Sequence, residues 1–205
     1  MILKKLPVGL FDTNCFLIFM PENQELLVID PGSDAGEIIA EAEKFDFVSA
    51  RILLTHAHID HISGCGQVAK ALGVEFVELA PEDNFIYLNK ENCLEPYFPP
   101  ADDLPPVKNF SPVKNCTVLA LPGHTPGGSG FLFDDGKSSF LIAGDTIFCG
   151  SVGRTDLPGG DYESLLKSIR EKILTLPDDL IIHPGHGGET TVAFEKKNNP
   201  YLIQE

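Results

Sequence analysis

Three of the six histidines in this 205-residue chain fall within six positions, in Thr55-His56-Ala57-His58-Ile59-Asp60-His61. At that frequency an H-x-H-x-x-H arrangement arises by chance in about one such chain in two hundred. In an extended segment residues i and i+2 face the same way, so His56 and His58 can grip one cation. If the chain then turns into a helix, Asp60 and His61 stand in its first turn and can grip a second. Ligand-type residues follow strand-like stretches three more times: His124 after Leu121-Pro122-Gly123, Asp145 after Leu141-Ile142-Ala143-Gly144, and His186 after Ile181-Ile182-His183-Pro184-Gly185. A carboxylate can bridge two cations, and Asp145 is the best placed for that role. Two cations held close together act as Lewis acids and lower the pKa of a shared water toward neutrality. The plain alternatives are a polar loop without metal at the first cluster and ordinary turn residues at the others.

The elements that must hold these residues read as short alternating stretches. Strands are expected at 2–8, 14–20, 25–29, 48–55 and 74–79, broken by Gly9, Pro21 and the turn Asp30-Pro31-Gly32. Ala35, Ile38, Ile39, Ala42 and Phe45 fall at helical spacing, which predicts a helix over 34–45 opening on an Asp34-x-x-Glu37 capping box. A second helix is expected over 61–72. Residues 81–114 carry seven prolines and five aromatics without a period, and are expected to form a flap beside the site, with Tyr87 and Tyr97 as substrate contacts. Strands resume at 116–121, 130–133 and 139–142, the last two joined by the hairpin signal Asp134-Asp135-Gly136. A helix over 161–174, a strand over 180–183 and a short helix after Thr190 complete the pattern. No repeat or linker marks a boundary, so one domain over 1–205 is expected.

Lys and Arg number 15 against 30 Asp and Glu, a formal net charge of −15. Nucleic acids and anionic membrane surfaces both require a basic footprint, so neither is expected as a partner. The longest apolar run, Cys15 to Met20, is six residues, against the roughly 20 of a spanning helix. Residues 1–9 hold no signal-like apolar core. Cysteines 15, 65, 93, 116 and 149 are odd in number and form no C-x-x-C pair, which suits reduced thiols in the cytoplasm. Cys65 and Cys149 are expected as small buried apolar residues.

Thr55-His56-Ala57-His58-Ile59-Asp60-His61, Gly123-His124-Thr125-Pro126-Gly127, Gly144-Asp145-Thr146 and Pro184-Gly185-His186-Gly187 together resemble the metallo-β-lactamase superfamily, over nearly the whole chain. The resemblance implies an α/β fold, a four-layer αββα sandwich whose strand ends hold one or two metals. It implies His56, His58 and His124 on the first metal, Asp60, His61 and His186 on the second, and Asp145 bridging, with Asp60 and Asp145 as the catalytic carboxylates. The run from Gly144 to Asp156 looks like the short, single-domain branch of glyoxalase II-like hydrolases. That implies a small-molecule thioester substrate, S-lactoylglutathione or a related thiol ester, and two divalent ions, zinc foremost, with iron or manganese fitting the same donors.

Relatives can be weighed on residues. Antibiotic-cleaving members usually lack the bridging aspartate that Asp145 supplies. Mononuclear-iron persulfide dioxygenases share Gly153-Arg154-Thr155-Asp156 but tend to read Pro-Ala-His-Asp-Tyr where this chain has Pro184-Gly185-His186-Gly187-Gly188. That enzyme is the alternative within the family; a non-catalytic metal-binding regulator or scaffold is the alternative of another class. Arg154 can take a substrate carboxylate in its planar fork or tie its loop to Asp156. Asp30 can orient the histidine loop or serve as a turn former. His183 is expected to point away from His186, because a Pro-Gly turn intervenes.

Overall fold

The structure, a computed structural model, describes residues 1–101 and 103–203, and it divides into two units, Met1–Ser111 and the residues from Pro112 onward. Asp102, within the expected flap, and positions 204 and 205 of the expected 1–205 domain lie outside the described residues.

In the first unit β1 (Ile2–Val8), β2 (Thr13–Met20), β3 (Glu25–Ile29), β4 (Ser49–Leu53), β5 (Val77–Glu78) and β6 (Val107–Lys108) lie in that order in one sheet. β1 to β3 pair antiparallel, and β3 to β6 pair parallel. Every residue of β2 is buried, which is why it reads as a continuous apolar run instead of an alternating one. Ile38 and Ala42 of α1 (Ala35–Ala42) share a buried cluster with Leu17, Val28 and Ile52 of the sheet; each Leu, Val or Ile among them contributes roughly 1.5–3 kcal/mol by burial.

Three expectations need correction here. Asp34 does not cap α1: its backbone is left-handed, and its Oδ2 accepts the Gly9 N–H at 2.8 Å instead. The helix expected over 61–72 is two helices, α2 (Ile59–Ile62) and α3 (Cys65–Leu72). The break falls at Gly64, whose N–H donates to the Pro31 carbonyl at 2.9 Å; a Cβ there would stand 2.8 Å from that oxygen, closer than real Cβ contacts come. Up to Ser111 the stretch 81–114 belongs to this unit: α4 (Asn84–Tyr87) and β6 are part of it, and Ile86, Tyr87 and Phe98 are core residues. Aromatics without a period can still be core when successive turns deliver them to one place.

In the second unit β7 (Cys116–Ala120), β8 (Ser129–Asp134) and β9 (Ser139–Gly144) form a meander, followed by the small hairpin β10 (Ile147–Phe148) and β11 (Ser151–Val152). β12 (Ile181–Pro184) adds parallel to β9, and β13 (Thr190–Thr191) pairs antiparallel with β12. Two antiparallel steps from β7 to β9 and one parallel step to β12 leave β7, β9 and β12 running the same way. Their carboxyl ends therefore share one edge. Between them α5 (Tyr162–Ser168) is capped by Asp161, which accepts from the Ser164 N–H, and runs on into a π turn over Ile169–Ile173. Leu165, Ile169 and Ile173 pack with Leu141, Ile182 and Val192, the last at the start of α6 (Val192–Asn198). Among the described residues no helix is long and apolar enough to cross a membrane.

Candidate metal centre

The parallel register of β3 and β4 sets the first unit's donors. Ile29 lies opposite Leu53, so Asp30 and Thr55 leave the sheet at the same end, and the Asp30 N–H donates to Leu53 O at 3.1 Å. Asp30 is fully buried with φ +52°. Its Oδ1 accepts the Thr55 N–H at 2.7 Å; its Oδ2 accepts the Thr55 hydroxyl at 2.6 Å and lies 3.0 Å from His61 Nδ1. Because the Thr55 proton goes to Asp30, the Thr55 oxygen is left to accept from His56 Nδ1, 3.0 Å away. These contacts assign the N–H of both imidazoles to Nδ1 and the lone pair to Nε2, the tautomer that a metal ligand needs. Asp30 is thus an orienting residue as well as a turn residue.

His58 is extended and precedes α2 directly, so Asp60 and His61 do occupy the helix's first turn. The ligand nitrogens of His56 lie within 4.8 Å of those of His58 and of His61. Asp60 Oδ2 accepts the Thr13 hydroxyl at 3.2 Å and stands 3.6 Å from His61 Nε2.

In the second unit, the carboxyl ends of β7, β9 and β12 deliver His124, Asp145 and His186, and the Gly185 N–H donates to Gly144 O at 2.8 Å where two of these loops meet. His124 Nδ1 donates to the Arg154 carbonyl at 2.7 Å, which again leaves Nε2 with the lone pair. Asp145 Oδ2 stands 3.6 Å from His124 Nε2 and 3.5 Å from His186 Nε2. Those spacings exceed a hydrogen bond and match the edge, about 3.4 Å, of a tetrahedron of 2.1 Å bonds around a cation. In each unit the donor set, imidazole and carboxylate only, fits a divalent ion such as zinc, iron or manganese.

The remaining predicted residues fall elsewhere. His183 is buried on β12 with its ring edge-on to Phe140, away from the donors as expected. Arg154 turns its fork to Asp156, with two hydrogen bonds of 2.7 Å, and this pairing holds the Asp156 carboxyl down to about 2. Tyr87 is 3% exposed, and its hydroxyl donates to Pro105 O at 2.8 Å, so burial pushes its phenol up and its place is core, not substrate surface. Tyr97 is exposed, against Phe11. Cys65 is buried as expected, and burial, then the charge of Asp30, pushes its thiol up. Cys149 corrects its expectation: it is exposed, because it sits in the turn of the β10–β11 hairpin. Sequence reasoning missed Thr13, Thr55 and the Arg154 carbonyl. Thr55 lies inside the histidine motif and could have been found there; a main-chain carbonyl leaves no signature.

The metallo-β-lactamase superfamily profile matches residues 8–186. Hydroxyacylglutathione hydrolase GloC of Haemophilus influenzae is 38% identical over an alignment of 211 positions that covers 96% of this chain and 96% of that one. Among solved structures, BLEG-1 B3 metallo-β-lactamase has a TM-score of 0.85 at 32% identity, covering 99% of this chain and 100% of that one. TTHA1623 in a di-iron-bound form has a TM-score of 0.84 at 33% identity, covering 97% and 100%. The expected α/β fold class is the fold of these structures. With motif, profile and fold in agreement, the chain belongs to the metallo-β-lactamase superfamily of metal-binding hydrolases.

Proposed function

We propose that the chain is a binuclear hydrolase of small acyl thioesters, S-lactoylglutathione or a related thiol ester, working as one domain over 1–205 in the cytoplasm. The observation that carries this reading is Asp145 Oδ2, about equally far from the Nε2 atoms of His124 and His186. A carboxylate so placed suits a bridge between two ions. The likeness to GloC supports the thioester class, and the net charge of −15 opposes nucleic acid and anionic membranes as partners.

In this reading His56, His58 and His124 hold one divalent ion and Asp60, His61 and His186 the other, with Asp145 shared; zinc suits the donors best, and iron or manganese accept them too. Bound there, the ions supply Lewis acidity toward the thioester carbonyl and lower the pKa of water. Asp30 and Thr55 keep the Nε2 lone pairs of His56 and His61 available, the Arg154 carbonyl does the same for His124, and the Thr13 hydroxyl steadies Asp60. Exposed Tyr97 and Arg154 are the proposed substrate contacts.

Zinc-loaded protein should release free thiol from S-lactoylglutathione without oxygen, and elemental analysis should find about two ions per chain, falling to one or none in Asp145→Ala. A fully metallated wild type with one ion would defeat the binuclear reading. Activity confined to iron-loaded protein that consumes oxygen with a persulfide would establish the dioxygenase instead. Turnover of a β-lactam in place of the thioester would assign the activity named for BLEG-1.

A further inference from the structure

Residues 56–58 belong to no strand or helix, yet Ala57 between the two histidines is fully buried. Buried backbone groups require partners. Both come from side chains of the stretch between β5 and β6: the Ala57 N–H donates to Asp83 Oδ2 at 3.2 Å, and Asn92 Nδ2 donates to the Ala57 carbonyl at 2.8 Å. Asp83 is itself fully buried at the end of a 3-10 turn, Pro81–Asp83. Packing joins this stretch to the histidine segment as well, since Ala57, Ile86 and Tyr87 share one buried cluster. A cavity of about 400 Å³ is lined by Ile59 and Ile62 of α2 and by Leu88, Asn92 and Leu104 of the stretch.

We propose that Asp83 and Asn92 are positioning residues for the metal centre. The N–H and the carbonyl of Ala57 belong to the two peptide planes that join it to His56 and to His58. Holding both planes fixes the extended backbone on which the shared aim of residues i and i+2 depends. Ligand geometry tolerates errors of only about 0.5 Å and 10–20°, so a free rotation of either plane would spoil the pair. The proline-rich stretch is then a brace for the His-x-His segment. This inference rests on the metal centre proposed above and is independent of the thioester assignment.

Cobalt(II) provides the test, because its binding and visible absorption report the ligand set directly. Asp83→Ala removes an acceptor, and Asn92→Asp puts a carboxylate where a donor is needed. Both should weaken Co(II) binding about 10–100-fold, as loss of a group that orients a ligand does, and should lower the absorption per bound ion. KM for a turned-over thioester should move less than about twofold. Asp83→Asn, whose Oδ1 still accepts the Ala57 N–H, should bind Co(II) as the wild type does. Half-buried Asn92 keeps the test open if Asp83→Ala fails to fold. Wild-type Co(II) affinity and spectrum in the folded variants would overturn the proposal even if Tm fell, and so would a rise in KM alone. A wild type that binds Co(II) but leaves thioesters intact defeats the proposed substrate and not this brace; one that binds no Co(II) defeats both.

Discussion

In the first unit the imidazoles are oriented by side chains: one carboxylate, Asp30, receives the Thr55 amide and hydroxyl and faces His61 Nδ1, and through Thr55 it reaches His56. In the second unit His124 is oriented by a main-chain carbonyl, that of Arg154. The loops carrying His124, Asp145 and Arg154 crowd together at Gly153, where a Cβ would overlap the Asp145 carbonyl oxygen and come within 3.3 Å of His124 Cβ. A side-chain anchor can be deleted by a single substitution, whereas a carbonyl cannot. The first unit should therefore be sensitive at the anchors themselves, and the second where its backbone needs room.

The largest effect should come from Asp30→Ala. It strands three buried donors, at about 1–3 kcal/mol for each unsatisfied group, and frees the two proposed ligands His56 and His61, each worth about 10–100-fold in metal affinity or activity. Denaturation should show lower stability and elemental analysis a loss of metal; normal metal content in the folded variant would break the comparison. Gly153→Ala comes next, because the Asp145 loop must shift to admit the methyl group. A displacement near 1 Å can cost about 100-fold in rate, so kcat/KM should fall about 10–100-fold, and full activity would mean that the backbone gives way freely. Thr55→Val removes the relay to His56 while leaving Asp30 on His61, with an expected loss of about tenfold. Thr55→Ser should restore the activity; equal loss in both variants would remove the hydroxyl from the account. The smallest effect belongs to Arg154→Ala, which deletes an exposed ion pair and leaves the carbonyl in place. Tm should not move measurably and kcat should stay within about threefold, while KM should rise about threefold as the proposed substrate contact is lost; an unchanged KM would remove the guanidinium from the substrate site.

The histidine segment was legible because an apolar strand stops at Leu54 and the i, i+2 rule needs only extended backbone. The candidate donors at 124, 145 and 186 were legible for the same reason, as polar residues that end apolar runs. What orients them was not. The Thr55 relay depends on where a hydroxyl proton goes, and that is decided by Asp30, 25 positions away. The Arg154 carbonyl carries no side-chain signal, whereas the guanidinium does. In the fold, β5, β6, β10, β11 and β13 have two residues each, too few to show a period. Asp34 does not cap, and the helix expected over 61–72 breaks at Gly64, because partners distant in the chain, Gly9 and Pro31, take up these groups in place of local structure.

The Arg154–Asp156 pair stands in the open, with side chains 62% and 67% exposed. At 1 M salt the screening length falls to about 3 Å and such a pair loosens, yet the carbonyl that steadies His124 is uncharged and Asp30 is buried, so both grips survive in brine. Ionic strength has its leverage elsewhere, on the approach of an anionic thioester to a chain of net charge −15. Added salt should shield that repulsion and quicken capture while the centre itself stays as it was, so that KM falls and kcat holds.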